Sequence, residues 1–290
     1  MLLRRDRKVA GACGAFALAL ATSVLAFGAN AQSKDTVGGM AGAGLARAAT
    51  GAPGWTGLLA SGQIATALSD ENLRIYNDLK RNKKAFSNFR NYRAWPQCTY
   101  SLLRKSRDGN LFTDVISMSS ALARDRLLVR LSHSKGTSTA LIGADGTAFD
   151  FNWVHFESGD RITSENVESK AADLLEREKS GSAPPGSVVV VDFMTVSFPR
   201  FQANSFKHGQ VAAVITRTDG SKYAEFVYGG MTTYKETPAI VLEIIANRDG
   251  SGGTPPVLVG YSLLRQSDMM PLRRVWQTDR MEVIDLIRCS

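Results

Sequence analysis

The chain has few of the residues and motifs from which common active sites are built. It contains three histidines, His133, His155 and His208, whose spacing matches no compact zinc site. The sequence also lacks a Gly-x-Ser-x-Gly nucleophile motif, a phosphate-binding loop and a dinucleotide-binding fingerprint. These absences count against the familiar zinc-enzyme, α/β-hydrolase and nucleotide-binding classes. They predict a protein with no metal and no cofactor.

Long apolar runs are also missing, except near the N-terminus. Four basic residues lie between positions 4 and 8, an uncharged stretch covers 9–27, and Ala29-Asn30-Ala31 follows. This order is typical of a bacterial signal peptide, and it predicts cleavage after Ala31. An uncleaved anchor is the alternative, because 19 uncharged residues could just span a bilayer. With no later run of 18 apolar residues, we expect no transmembrane segment after signal removal and a periplasmic or secreted product.

Cysteine is scarce, with three residues in the chain, which excludes a disulfide-dense scaffold. Removal of the signal peptide leaves Cys98 and Cys289. An even number of cysteines in an oxidising compartment predicts a disulfide between them. Two free buried thiols are one alternative. A catalytic Cys98 is another, but it would need a histidine close in space, and no cysteine-hydrolase signature surrounds it.

Composition divides the remaining chain into three parts. Residues 32–66 are rich in glycine and alanine, which predicts a flexible leader. Residues 67–107 form a basic segment that we expect to be helical, and 108–290 form a β-rich domain. The helix should run from about Ser69 to Tyr92, since Ser69 is a suitable N-cap and apolar side chains recur at helical spacing.

Four Asp-Gly pairs mark the β-rich domain, at 108–109, 145–146, 219–220 and 249–250. This dipeptide favours type I′ hairpin turns, and all four pairs lie between apolar runs. A two-residue turn at 145–146 would place Ile142 opposite Phe149. The resulting fold class is α+β: a predominantly antiparallel sheet, either a sandwich or a partly open barrel, with an N-terminal helix and one inserted helix.

Further elements follow from hydrophobic patterning. Residues 187–198 are mainly apolar, with eight apolar residues in twelve, which predicts a central strand covered on both faces. The inserted helix should begin at Thr163 or Ser164 and end by 181–186. Other strands are expected at 210–218, 221–229, 239–247, 256–265 and 281–288.

The Ser132-His133-Ser134-Lys135 sequence has the Ser-x-x-Lys spacing of penicillin-recognising enzymes. In those enzymes the serine opens a helix, which brings the lysine one turn away. Here the flanking residues are typical of strands, so the two side chains would point to opposite faces. We therefore interpret this motif as a hairpin.

The distribution of charge is the clearest anomaly. Signal removal lowers the net charge from +8 to +5, yet residues 74–107 alone carry ten basic residues against one acid, Asp78. Aromatic residues are interleaved with this charge. The predicted contacts with an anionic partner are Lys80, Arg81, Lys83, Lys84, Arg90 and Arg93. The alternative is a solvated helix face whose aromatic side chains pack on the sheet.

Three functional hypotheses remain open. The first is a non-catalytic envelope protein that binds an anionic partner, namely an envelope protein, a lipid head group or lipopolysaccharide; no nucleic acid is expected outside the cytoplasm. The second is a secreted hydrolase with an unrecognised site, for which Asp192, Glu225 or Asp268 could supply carboxylates. The third is a protein recruited to a membrane surface by residues 74–107.

Overall fold

The computed structural model describes the following residues: 64–89, 92–105, 109–134, 136–143, 148–155, 161–163, 176–177, 180, 199–216, 222–247, 256–278 and 280–290. Within these residues it contains helix α1 (Asp70–Asp78), a helical pair of residues at 176–177, and fifteen strands. The strands are β1 (Ala65–Thr66), β2 (Phe86–Ser87), β3 (Cys98–Lys105), β4 (Leu111–Ala123), β5 (Arg126–His133), β6 (Gly136–Ile142), β7 (Ala148–His155), β8 (Arg161–Thr163), β9 (Ser205–Phe206), β10 (Val211–Thr216), β11 (Lys222–Tyr234), β12 (Thr237–Asn247), β13 (Pro256–Arg265), β14 (Pro271–Gln277) and β15 (Met281–Cys289).

Thirteen of these strands form one sheet. Its order is β10-β11-β12-β13-β14-β15-β3-β4-β5-β6-β7-β8, and β1 pairs in parallel with β13. The sheet therefore consists of two antiparallel meanders, β3–β8 and β10–β15. Since β8 and β10 lie at opposite ends of this order and do not pair in the described residues, the sheet is open. The two short strands β2 and β9 form a separate pair.

The two meanders meet where the last strand of the chain pairs with the first long one. Strands β15 and β3 are antiparallel, and Cys289 lies opposite Cys98 with their Cα atoms 4.0 Å apart. The two residues form a disulfide, which confirms the predicted bond. The covalent link thus joins the two halves of the sheet at the only place where their strands pair in the described residues.

The antiparallel β-rich fold class is confirmed for the described part of the chain. Each of the four Asp-Gly pairs connects two consecutive strands that pair antiparallel: β3–β4, β6–β7, β10–β11 and β12–β13. The predicted strands of the C-terminal region correspond to β10, β11, β12, β13 and β15. The hairpin at Ser132–Lys135 also exists, since β5 ends at His133 and β6 begins at Gly136.

Several sequence predictions need correction. Helix α1 ends at Asp78 rather than near Tyr92, and the basic segment contains strand β3, so most of it is not helical. Strand β14 was not predicted at all. Leu141, not Ile142, lies opposite Phe149, because a register shift separates Thr139 and Leu141. The predicted signal peptide and strand 187–198 lie outside the described residues. The last residues of the predicted leader, 64–66, are described and include strand β1. Most of the predicted inserted helix is not described, but residues 176–177 within it are helical.

The sheet has two faces, which the strand register defines. We call the face that carries Tyr100, Leu102 and Val129 the inner face, since these side chains are buried. Across the paired strands the inner face continues through Arg274, Ser262, Leu242 and Tyr228. The outer face carries Ser101, Val115 and Arg130 on β3–β5, and Asp285, Arg273, Leu263 and Val241 on β15–β12.

Residues 64–89, which we call the strap, run along the C-terminal meander. At its start β1 pairs with the edge of β13, and Ala67 N–H donates to the Leu258 carbonyl oxygen. Helix α1 then covers the outer face, where the Tyr76 ring packs at a tilt against Tyr261. The strap then passes the edge of β11 and continues on the inner face, where Phe89 packs edge-on against Tyr228. None of the helices in the described ranges is long and apolar enough to cross a bilayer.

Candidate anion-binding surface

The strap changes conformation abruptly after helix α1. Ser69 caps the helix by accepting a hydrogen bond from the Asn72 N–H, and Asp70 and Glu71 lie in the first turn, where the helix dipole favours negative charge. The last turn has no basic residue, and Leu79 is already extended. Lysine and arginine therefore begin to cluster only where the chain has left the helix.

Backbone hydrogen bonds hold residues 80–84 against the edge of β11. The Asn82 N–H donates to the Met231 carbonyl oxygen (2.7 Å), and the Met231 N–H donates back to the Asn82 carbonyl oxygen (2.8 Å). The Thr232 and Tyr228 hydroxyls donate to the Lys80 and Lys84 carbonyl oxygens, at 3.2 and 2.9 Å. Four bonds within five residues fix this part of the strap.

Two consecutive glycines in β11 make this approach possible. Gly230 has a φ of +113°, and a Cβ atom there would lie 2.6 Å from the Asn82 carbonyl oxygen. A Cβ atom on Gly229 would lie 2.9 Å from Oε1 of Glu243. Both distances are too short for an ordinary contact, so the glycines leave room for the strap and for the Glu243 carboxyl group.

The basic side chains of this segment divide into two groups. Lys80, Lys83 and Lys84 are exposed, and none of them forms an ion pair with a described residue. Arg81 instead turns toward the sheet, where its Nη1 atom lies 3.0 Å from Oε1 of Glu243. Its guanidinium group also lies over the Tyr76 ring, 4.3 Å from the centroid. Three lysines thus present their charge to solvent. Arg81 instead contacts Tyr76 and Glu243, and we call this group of three side chains the clasp.

Glu243 is the centre of this clasp, and its side chain is fully buried on the outer face of β12. Its Oε1 atom accepts hydrogen bonds from the Tyr76 hydroxyl and from Arg81, whereas Oε2 has no hydrogen-bond partner among the described residues. Burial raises the pKa of Glu243 to about 7, against the opposing effects of the Tyr76 hydrogen bond and the charges of Arg81 and Lys83. Burial also raises the pKa of the Tyr76 hydroxyl.

The charge of the strap extends to the turn before β10. His208 is half-buried in this turn, and its pKa is lowered by burial and then by the charges of Lys83 and Arg81. Lys207, beside it, is exposed. Strands β2 and β9 pair Phe86 with Phe206, so this turn lies next to residues 80–84 of the strap. The sequence Lys207-His208-Gly209 predicts this turn, but not its position beside the strap, which is more than 100 residues away in the chain.

The structure separates the other predicted contacts. Arg90 lies outside the described residues. Arg93 is exposed, but its N–H donates to the Asp268 carbonyl oxygen, so it lies beside the turn after β13 instead of along the edge of β11. Arg104 is buried on the inner face of β3, opposite Glu282, whereas Lys105 is exposed. The binding role of the six basic residues is untested by these contacts and stays a prediction.

The interleaved aromatic residues belong to the core. Phe89 is fully buried and packs edge-on against four rings, namely Phe86, Phe201, Phe206 and Tyr228. Tyr92 stacks on Phe201, and its hydroxyl donates to the Pro199 carbonyl oxygen. These contacts match the alternative that placed the aromatic side chains against the sheet.

The carboxylates considered for a hydrolase lie on different elements. Asp192 is outside the described residues, Glu225 is buried within β11, and Asp268 accepts hydrogen bonds from Arg265 Nε at 2.9 and 3.0 Å. The described residues contain no cluster of three histidine, cysteine or acidic side chains that could hold a metal ion.

A serine, a histidine and an aspartate do meet at the end of the β5–β6 hairpin. The Ser134 hydroxyl and N–H donate to Asp114 Oδ2 at 2.5 and 3.1 Å, and His133 Nδ1 lies 3.3 Å from the same oxygen. A catalytic triad needs the serine hydroxyl next to the histidine, because the histidine takes its proton. Here the serine donates to the carboxylate, so the arrangement fixes the turn instead.

Neither a protein-family model nor a curated protein matches the sequence at a significant level. Among solved structures, the chain is similar to a DUF1329 family protein from Desulfovibrio piger, with 9% identity, coverage of 76% of this chain and 89% of that one, and a TM-score of 0.27. It is also similar to a LolA superfamily protein from Nitrosomonas europaea, with 10% identity, coverage of 77% and 92%, and a TM-score of 0.21. At these values the two likenesses assign neither a family nor a function.

Proposed function

We propose that this protein is an exported, non-catalytic binding module that contacts a phosphate-bearing surface of the cell envelope through Lys80, Lys83 and Lys84. The observation that carries the proposal is the state of these three lysines. They are exposed, they have no ion-pair partner among the described residues, and they lie on a segment that four hydrogen bonds fix to β11.

A fixed segment is better suited to this role than a flexible basic tail. Ordering a flexible segment upon binding costs conformational entropy, and that cost is subtracted from the affinity. The backbone of residues 80–84 is already ordered in the free protein, so only the lysine side chains lose freedom. The turn with Lys207 adds positive charge to the same surface.

A phosphate-bearing membrane surface fits the strap better than an acidic protein does. Protein interfaces depend on a few large apolar or aromatic anchors, and the strap exposes none. The large hydrophobic side chains that are exposed lie on other elements, namely Leu111, Val115, Leu122 and Ile287. Charge alone is sufficient for attraction to an anionic membrane, where each Lys or Arg near the surface contributes about 1 kcal/mol.

Export is the second part of the proposal. The N-terminal sequence predicts a cleavable signal peptide, and the Cys98–Cys289 disulfide fits an oxidising compartment. A bacterial protein exported in this way would meet the phosphates of phospholipid head groups and of lipopolysaccharide.

Vesicle binding of the disulfide-bonded exported protein tests the proposal. The parent should co-sediment at low salt with phosphatidylglycerol vesicles but not with zwitterionic phosphatidylcholine vesicles, and binding should weaken as salt rises. Replacing Lys80, Lys83 and Lys84 with Gln should weaken it about 100-fold, since three charges contribute about 3 kcal/mol. Arg81 is left unchanged because its loss would leave the buried Glu243 without its cation.

A matched control removes three positive charges elsewhere. Lys105, Arg130 and Arg288 are exposed on the opposite half of the sheet or at its joint, and their replacement with Gln should leave vesicle binding within about threefold. A parallel assay with purified lipopolysaccharide distinguishes the two sources of phosphate. Equal binding by the strap variant and the parent would overturn the proposal, as would capture of an acidic protein without any binding to either lipid.

A further inference from the structure

We propose that proton uptake by Glu243 strengthens the binding of phosphate-bearing surfaces by the strap, because it leaves the charge of Arg81 uncompensated. This inference rests on the proposed function and concerns the regulation of the same surface. It follows from the position of one buried carboxyl group beneath a cluster of exposed cations.

The geometry of the clasp allows a proton to bind without breaking a contact. Oε1 of Glu243 accepts from Tyr76 and Arg81, and Oε2 is buried with no hydrogen-bond partner in the described part of the chain. A proton on Oε2 leaves Oε1 as a carbonyl-type acceptor for both donors. The strap therefore need not move for its net charge to change.

The groups that face Glu243 come from each element packed around it. Helix α1 contributes Tyr76, the strap contributes Arg81 and Lys83, and β13 contributes Tyr261 at the position directly opposite. On its other side, β11 contributes Gly229 and Val227, which carry no charge. Burial raises the pKa values of the Tyr76 and Tyr261 hydroxyls, so both stay neutral near pH 7. Glu243 is therefore the carboxyl group that balances Arg81 in this arrangement.

Protonation changes the charge of the surface by one unit. With Glu243 ionised, Lys80, Arg81, Lys83 and Lys84 give a net charge of +3, and with Glu243 neutral the same group carries +4. The Arg81 side chain is 24% exposed, so its field reaches the solvent. Burial raises the pKa of Glu243 to about 7, which places the change between neutral and mildly acidic conditions. One additional charge corresponds to a roughly fivefold tighter contact with an anionic membrane.

Proton binding and membrane binding must affect each other equally, which has a second consequence. Because the acid form binds the membrane more tightly, membrane binding must raise the pKa of Glu243 by the corresponding amount. The protein should therefore take up a proton when it binds an anionic surface near pH 7.

The test compares the parent with the Glu243→Gln variant on phosphatidylglycerol vesicles, whose phosphodiester does not titrate between pH 6 and 8.5. The parent should bind about fivefold more tightly at pH 6 than at pH 8.5. Glu243→Gln should bind equally at both pH values and about as tightly as the parent does at pH 6. A His208→Gln variant should keep the pH dependence of the parent, since it removes the other titratable side chain near Lys83.

A measurement on the parent alone keeps the test independent of how the variant folds. The carbon chemical shift of the Glu243 carboxyl group should titrate near pH 7 in the free protein and at a higher pH with vesicles present. A midpoint below 5, or a vesicle affinity that does not change with pH while Glu243 does titrate, would overturn the inference and leave the proposed function intact. Absence of vesicle binding at every pH would instead overturn the proposed function, whatever Glu243 does.

Discussion

The two halves of the sheet differ in how many of their faces are buried. Strands β3–β6 alternate between a mostly buried inner face and a largely half-buried or exposed outer face, as Ser101, Val115 and Arg130 illustrate for the outer face. Strands β12 and β13 bury nearly every residue, because the strap covers their outer face. One continuous sheet thus contains a half that is covered once, on its inner face, and a half that is covered twice, on both faces.

This difference decides where charged residues are tolerated. In the half that is covered once, arginine and lysine can occupy the outer face without an ion-pair partner among the described residues, as Arg130 and Lys105 do. In the half that is covered twice, a charge on either face is buried and needs a partner, since an isolated charge in the interior is very costly. Arg273 accordingly contacts Asn72, Tyr261 and Asp285 on the outer face.

The largest expected effect concerns the bond that joins the two halves. The Cys98–Cys289 disulfide closes a loop with a sequence separation of 191. In the chain-entropy model, its removal should lower the free energy of unfolding by about 5 kcal/mol. Urea unfolding of the Cys98→Ser/Cys289→Ser double variant tests this value. A midpoint equal to that of the parent would show that the pairing of β15 with β3 holds the halves together without the covalent link.

The next effect comes from a buried ion pair. Arg274 is almost completely buried on the inner face of β14 and pairs with Glu282 on β15. Arg274→Ala should cost about 4 kcal/mol, because it leaves the Glu282 carboxylate buried without this cation. Arg130→Ala, on the exposed outer face of β5, is the matched control and should stay within about 0.5 kcal/mol. Equal losses for the two variants would contradict the claim that an arginine on the covered inner face depends on its partner whereas one on the exposed outer face does not.

A pair of leucines tests the same distinction without charge. Leu263 lies on the outer face of β13 and is fully buried, whereas Leu111 at the start of β4 is 62% exposed. Leu263→Ala should cost about 3 kcal/mol, and Leu111→Ala less than about 0.5 kcal/mol. Thermal unfolding of both variants provides the measurement. A small loss for Leu263→Ala would mean that the strap does not keep water from the outer face.

The same difference explains how much of the fold the sequence could predict. Hairpins marked by Asp-Gly and strands with a single buried face leave a local signature, because each turn and each alternation is contained in a few consecutive residues. The disulfide was also predictable, since two cysteines follow the predicted signal peptide. Strand β14 has adjacent arginines, Arg273 and Arg274, and each is buried on a different face. Their partners lie on neighbouring strands and on the strap, outside the segment itself, so the segment resembles an exposed loop.

The candidate site was only partly predictable for the same reason. The cluster of basic residues was visible in the sequence, and Ser69 correctly marked the start of the helix. The end of the helix depends on the edge of β11, which pairs with Asn82 from a position 149 residues away. The clasp depends on Glu243, which looks like one more residue in an apolar strand. Neither long-range contact leaves a pattern in the local sequence.

The smallest effect is the pH dependence of stability that comes from one carboxyl group in each half, Asp114 and Glu243. Asp114 lies in the half that is covered once. Burial acts to raise its pKa, but hydrogen bonds from Ser134, the Val115 N–H and His133 outweigh burial, so the pKa is lowered. A lowered pKa in the folded state means that Asp114 stabilises the protein above pH 3.8, its ordinary value, and that this contribution is lost as the pH falls further. Asp114→Asn should therefore cost about 1 kcal/mol at pH 7 and less at pH 3.

Glu243, in the half that is covered twice, should behave in the opposite way. Its pKa is raised from 4.5 to about 7, so its stabilising contribution is complete below pH 4.5 and is lost as the pH rises through 7. The cost of Asp114→Asn should grow as the pH rises from 3 to 5 and then stay constant. Glu243→Gln should instead become more favourable relative to the parent between pH 5 and pH 8.5. Unfolding midpoints of both variants from pH 3 to pH 8.5 measure the two slopes, each in its own range. Slopes of the same sign would mean that the cover provided by the strap does not determine how a carboxyl group on this sheet titrates.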